Sequence, residues 1–152
     1  MTTDEIASFL SRPHTLQVAT IGKQGEPHLA PMWYVVRDGE VWFRSFTKSQ
    51  KIVNLARDPR LTVLVEEGRE YSSLRGVMIT GVAELYDDPG LVLEIYGMLA
   101  GRYPMIDDAT LPDMSPEGLE AAFGRFATKN TAVRVVPERI VSWDHHKIGG
   151  GY

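Results

Sequence analysis

The chain has 152 residues and carries 16 Lys and Arg against 20 Asp and Glu, a net charge of −4, with 43% hydrophobic residues and no cysteine. That length is expected to form one domain over 1–152, and the negative balance argues against a nucleic-acid binder working by bulk electrostatics. Without cysteine, a disulfide framework, a thiolate-held zinc or iron–sulfur centre and thiol catalysis are all excluded.

The first residues, MTTDEIASFL, are acidic and lack a basic segment followed by a long apolar one, so no signal peptide is expected. No apolar run approaches the roughly 18 residues of a membrane span, and the expectation is a cytoplasmic protein with no membrane or nucleic-acid partner. Ile6, Phe9 and Leu10 recur at helical spacing and predict a helix over 4–11, capped by Thr3 or Asp4 and stopped at Arg12-Pro13. Residues 15–21 read as a strand, and Gly22 to Pro27 as a turn. Two further strands over 28–36 and 40–46 flank Asp38-Gly39, the pair that favours a tight hairpin because both central positions need positive φ.

The period then changes. Thr47 and Gln50 fit a capping box, and Ile52, Leu55 and Ala56 form the apolar side of a helix ended by Asp58-Pro59. Strands over 61–66 and 77–85 follow, with Gly81 inside the second marking a bulge or a close backbone approach. Asp88-Pro89-Gly90 opens a helix with Leu91, Leu93, Ile95, Met98 and Leu99 mostly on one side. A Pro- and Asp-rich loop over 104–116, a helix over 116–126, a strand over 134–143 and a mobile tail over 149–151 complete the chain. Six strands with short connections predict a mainly β fold, an antiparallel β-barrel with peripheral helices.

Three segments could carry chemistry. In Trp42 to Lys51 a strand runs into a helix start through Ser45, Thr47 and Ser49, each able to donate to a phosphate oxygen. Lys51 falls in the first turn, where a cation opposes the helix dipole unless a bound anion compensates it. The same pattern also reads as a capped helix with solvated lysines. In Leu29 to Tyr34, Pro31 forfeits a ladder hydrogen bond, so this is an edge or a bulge, where Met32, Trp33 and Tyr34 could wall a planar ligand or simply fill the core. Asp144, His145 and His146 invite a metal, but in an extended segment only two of them converge, and no metal site is expected. His14 and His28 are isolated and read as structural, and there is no nucleophilic triad or carboxylate pair.

Taken together, TLQVATIGKQGEPHLAPMWYV, WFRSFTKSQKIVNLARDPR, VMITGVAELYDD and RIVSWDHHKIGG resemble the pyridoxamine-phosphate-oxidase-like family. Within it they are most similar to the branch that binds the deazaflavin coenzyme F420. The resemblance spans nearly the whole chain and implies a split β-barrel of the FMN-binding type, a homodimer with two cofactors at its interface, and an oxidoreductase. It places the cofactor phosphate at Ser45, Thr47, Ser49, Gln50 and Lys51 and the flavin-like ring along Pro31, Met32 and Trp33. Trp143 and Lys147 would approach from the partner chain. Relatives that oxidise pyridoxamine phosphate carry an arginine where this chain has Gln50, and a C-terminal basic motif is not obvious, which favours a reductase.

The resulting expectation is F420-dependent hydride transfer to a small unsaturated organic substrate, with Tyr34, a C-terminal histidine or solvent supplying a proton. Lys23, Arg37 and Lys48 are candidates for the coenzyme's polyglutamate tail, or ordinary solvated charges. The alternatives are an FMN-dependent oxidoreductase and a non-catalytic carrier of F420, FMN or haem.

Overall fold

Thr2 caps the first helix through a reciprocal box with Glu5, so α1 begins at Thr3 and runs to Ser11. The chain then builds β1 (Leu16–Ile21), β2 (Pro27–Met32), β3 (Val35–Arg37), β4 (Glu40–Phe46), α2 (Gln50–Arg57), β5 (Arg60–Glu67), β6 (Arg75–Tyr86), α3 (Pro89–Arg102), α4 (Pro116–Ala127) and β7 (Asn130–Asp144). This computed structural model describes residues 1–105, 110–111 and 114–148. The expected tail over 149–151 lies outside the described residues, as does much of the 104–116 loop.

The strands form one curled antiparallel sheet in the order β2-β1-β5-β6-β7-β4-β3, a half-barrel with helices around it. There are seven strands rather than six because the run over 28–36 breaks. β2 pairs with β1 at one margin and β3 with β4 at the other, and Trp33 and Tyr34 carry the chain between them. Tyr34 is fully buried, with its hydroxyl donating to Leu10 O at 3.0 Å, which turns the chain inward at that point. The hairpin at Asp38-Gly39 forms with φ of 53° and 80°, as its composition requires. Gly81 sits at the register shift of the β6–β7 ladder, where a Cβ would run into the Val136 carbonyl.

Two apolar layers result from alternation along β4 and β7. Val41, Phe43, Val133 and Val135 face the barrel interior with Val18 and Val63. Trp42 and Ala132 face outward under α3, against Ile95, Tyr96 and Leu99. The buried stripe of α3 is Val92, Ile95, Tyr96, Leu99 and Ala100, so Leu91, Leu93 and Met98 lie at its margins rather than on it. The three- and four-residue spacing of that stripe is one helix face. No helix among the described residues is long and apolar enough to cross a membrane.

Candidate functional site

β4 delivers Ser45 to the interior side of the sheet, and the chain turns at once into α2. Ser45 Oγ lies 3.0 Å from Ser49 Oγ, and Lys51 Nζ donates to Ser45 Oγ at 3.2 Å. The first turn of α2 holds no acidic residue, and its N-cap Ser49 makes no side-chain capping bond. Among the described residues no carboxylate pairs with Lys51. Burial pushes its ammonium pKa below the ordinary lysine value. Three donors, one of them cationic, therefore converge at a positive helix end with no carboxylate among the described residues paired to them.

The capping box expected of Thr47 and Gln50 does not form. Thr47 Oγ1 lies 3.0 Å from Thr131 Oγ1 across the β4–β7 ladder, and the Thr131 hydroxyl donates to Asp87 at 2.6 Å. A cross-strand partner has outcompeted the local one. Gln50 Nε2 donates instead to Asn54 Oδ1 at 2.8 Å, so neither side chain joins the Ser45–Ser49–Lys51 group.

Asn54 is the residue that periodicity did not single out. Ala56 is exposed and Asn54 is fully buried, its Nδ2 donating to Thr20 Oγ1 of β1 at 3.1 Å. This pins α2 across the barrel mouth and fixes where Lys51 stands. A polar residue between the apolar Ile52 and Leu55 was the available clue. Asn54→Ala is expected to destabilise the fold by about 1–3 kcal/mol, because Thr20 loses its partner in a dry site. Urea denaturation followed by circular dichroism measures it.

A second feature lies on the outer side of β4. A cavity of about 360 Å³ is lined by Thr15, Pro31, Met32, Trp33, Arg44 and Leu99. Pro31 sits on the edge strand β2, opposite Gln17, where its missing N–H disrupts no inner ladder. Trp33 stacks on Tyr103, the residue that follows α3, with centroids 4.9 Å apart and planes within 6°. Tyr34 does not face it. Burial raises the Tyr34 phenol to about 12 and the Leu10 carbonyl holds its proton, which makes it a structural group rather than a proton donor.

The C-terminal candidates stand apart. Trp143 packs over Gly76 at the end of β7 away from Thr131, roughly a dozen residues and up to roughly 40 Å along the strand. Lys147 Nζ pairs with both Glu5 oxygens at 2.6 Å, which lowers the Glu5 carboxyl to about 2. Asp144 is engaged by Arg75 Nε at 3.2 Å and His146 Nδ1 at 3.0 Å, and His145 to Lys147 form a short 3-10 turn rather than an extended segment. Within one protomer, Trp143 and Lys147 meet neither the lysine corner nor the cavity. Of the three scattered cations, Arg37 is held by Glu94 at 3.2 Å, while Lys23 and Lys48 are exposed.

Comparison with known proteins adds to this geometry. The family described as pyridoxamine 5'-phosphate oxidase matches residues 2–140. The conserved hypothetical protein Rv2991 from Mycobacterium tuberculosis is similar with a TM-score of 0.88 and 41% identity, over 100% of this chain and 90% of that one. An F420 reductase is similar with a TM-score of 0.65 and 24% identity, over 88% and 94% of the two chains. A heme binding protein from Mycobacterium smegmatis gives 0.63 and 16%, over 95% and 59%. The last two likenesses concern the fold. No curated protein matches the chain.

Proposed function

The chain belongs to the pyridoxamine 5'-phosphate oxidase family, and from that membership we propose that it is an oxidoreductase that works with coenzyme F420 as a homodimer. The observation that carries the reading is the corner formed by Ser45, Ser49 and Lys51, a cation and two hydroxyls at a helix start without a carboxylate. A phosphate fits that donor set, since it supplies the negative charge the group lacks and oxygens enough for all three. An F420 reductase among the structural neighbours supports the choice of coenzyme at the level of the fold.

Ser45, Ser49 and Lys51 hold the phosphate in this proposal, and Pro31, Met32 and Trp33 give the flat ring a wall. Stacking on Tyr103 keeps Trp33 from collapsing into the space. Trp143 and Lys147 belong to the site only as contributions from the second protomer, with Lys147 exchanging Glu5 for the coenzyme. When bound, the coenzyme supplies a hydride for an activated double bond or conjugated ring of a small organic substrate. The chain's share is binding, orientation and exclusion of water, so no protein nucleophile is required.

Parallel fluorescence titrations with F420 and FMN, followed by single-turnover reduction of a quinone and an enone, test this. Tighter binding of F420 and oxidation of the reduced coenzyme by an acceptor are the expected results. Preferential FMN binding by a protein that purifies yellow makes it an FMN enzyme instead, and tight binding without transfer to any acceptor makes it a carrier.

A further inference from the structure

Arg44 is half-buried on the outer face of β4, beneath α3. Its guanidinium lies over the Tyr96 ring at 4.0 Å, and Nη1 donates to Asn130 Oδ1 at 3.3 Å. Nε is buried with no acceptor, and among the described residues no carboxylate pairs with this arginine. Other half-buried arginines of the sheet behave differently. Arg37 reaches Glu94 at 3.2 Å, Arg75 reaches Asp144 at 3.2 Å and Arg134 reaches Glu40 at 2.6 Å. The Arg44 donors have left water for one long neutral hydrogen bond, which is no equivalent return. Desolvation accordingly pulls its pKa below the ordinary arginine value.

Arg44 lines the same cavity as Pro31, Met32 and Trp33, the wall given above to the coenzyme's ring. Thr15 and Leu99 complete the lining, so Arg44 brings the one charge among the described residues that border this space. The Tyr96 ring under the guanidinium is itself stacked on Phe123 of α4 at 4.8 Å, which braces it. Arg44 and Ser45 are neighbours on one strand and point to opposite faces. The phosphate corner therefore keeps Lys51 as its cation, and the charge of Arg44 is left for the ring.

We propose that Arg44 selects the coenzyme by charge, as the counter-ion of a ring that is an anion at neutral pH. This rests on the coenzyme reading above and deepens it. The ring hydroxyl of F420 is conjugated through the deazaflavin system to the pyrimidine carbonyls, so it is an acid whose charge spreads over oxygens in the ring plane. FMN carries a methyl group there, and its oxidised ring is neutral. A neutral ring would cover the guanidinium and leave it unpaired in a dry groove, at a cost in desolvation. An anionic ring returns a charge-assisted hydrogen bond to a planar donor fork, where the apolar walls strengthen it. Arg44 acts here on binding and ionisation, with no proton or electron passing through it.

The test is an absorbance titration, against pH, of the ring hydroxyl of F420 free and bound to the protein, with dissociation constants for F420 and FMN at neutral pH. The bound hydroxyl is expected to ionise about one to three pH units below the free one. Arg44→Gln should abolish that lowering and weaken F420 binding roughly tenfold or more, while FMN binds no more weakly than before. Arg44→Lys, which keeps the charge, should restore most of the lowering. Lys51→Ala, on the phosphate side, should weaken both coenzymes alike. A bound hydroxyl that ionises at or above its free pKa in the unmodified protein overturns the proposal, whether or not the variants fold. Equal losses of F420 and FMN in Arg44→Gln also overturn it, since the side chain then only props the cavity. F420 bound with its hydroxyl unshifted removes the arginine's role and keeps the coenzyme, whereas FMN binding without F420 binding removes both.

Discussion

Lys51→Ala is expected to weaken F420 or FMN binding by about 1.5–3 kcal/mol, roughly ten- to hundredfold in Kd, as read by fluorescence titration. The ammonium is the one full charge in the Ser45–Ser49–Lys51 group, and it sits in the first turn of α2 where the helix dipole adds to it. An unchanged dissociation constant would remove the phosphate from this corner. The same substitution should leave the ligand-free protein no less stable. A half-buried cation without a carboxylate is a strain on the folded state, and its removal relieves it.

That relief has a pH signature. Because burial lowers the Lys51 pKa in the folded state from its ordinary 10.5, the unfolded chain binds more protons in the window between the two values. The lysine's contribution to stability therefore rises as pH climbs through that window toward 10.5. Tyr34 acts in the opposite sense. Its phenol, raised from 10.0 to about 12, keeps its proton when the unfolded chain loses it, so its contribution falls above pH 10. Subtracting the urea-denaturation pH profile of Lys51→Ala from that of the unmodified protein cancels the tyrosine and isolates the lysine slope. A flat difference would mean that the ammonium is solvated and no anion is called for.

Phe43→Ala should destabilise the protein by about 3–5 kcal/mol, a large share of the roughly 5–15 kcal/mol that holds a domain together. Phe43 is fully buried in the interior layer at the centre of β4, between Trp42 and Arg44 on the other face. The strand is covered on both sides, so neither layer can collapse into the hole without displacing the other. Thermal and urea unfolding measure the loss. Weaker coenzyme binding is expected to accompany it, since β4 carries Ser45.

Where a local rule needs only its own residues, the sequence was sufficient. Asp38 and Gly39 form their hairpin because both tolerate the positive φ it needs, Pro31 is on an edge because it cannot donate, and Gly81 marks the bulge. Where a distant partner decides, it was not. Thr47 abandons a helix cap for Thr131, a residue some 84 positions later. The run over 29–36 carries no charged residue to mark a boundary, and its break at Trp33-Tyr34 is set by Leu10 O and Tyr103. Arg44 looks like any polar residue in a half-exposed strand. Its place over the Tyr96 ring, beneath α3, is visible only once α3 and α4 are folded over it.

The two-residue passage from β2 to β3 has a geometric consequence. A stretched chain advances about 3.8 Å per residue, so Met32 and Val35 cannot stand farther apart than roughly 11 Å. Laid flat, the outermost members of a seven-stranded array would be separated by about 29 Å at the usual spacing of about 4.8 Å. Curvature is thus not left to twist alone: Trp33 and Tyr34 act as a clasp that draws the array into a hoop. Lengthening that clasp with glycines would let the hoop spring open.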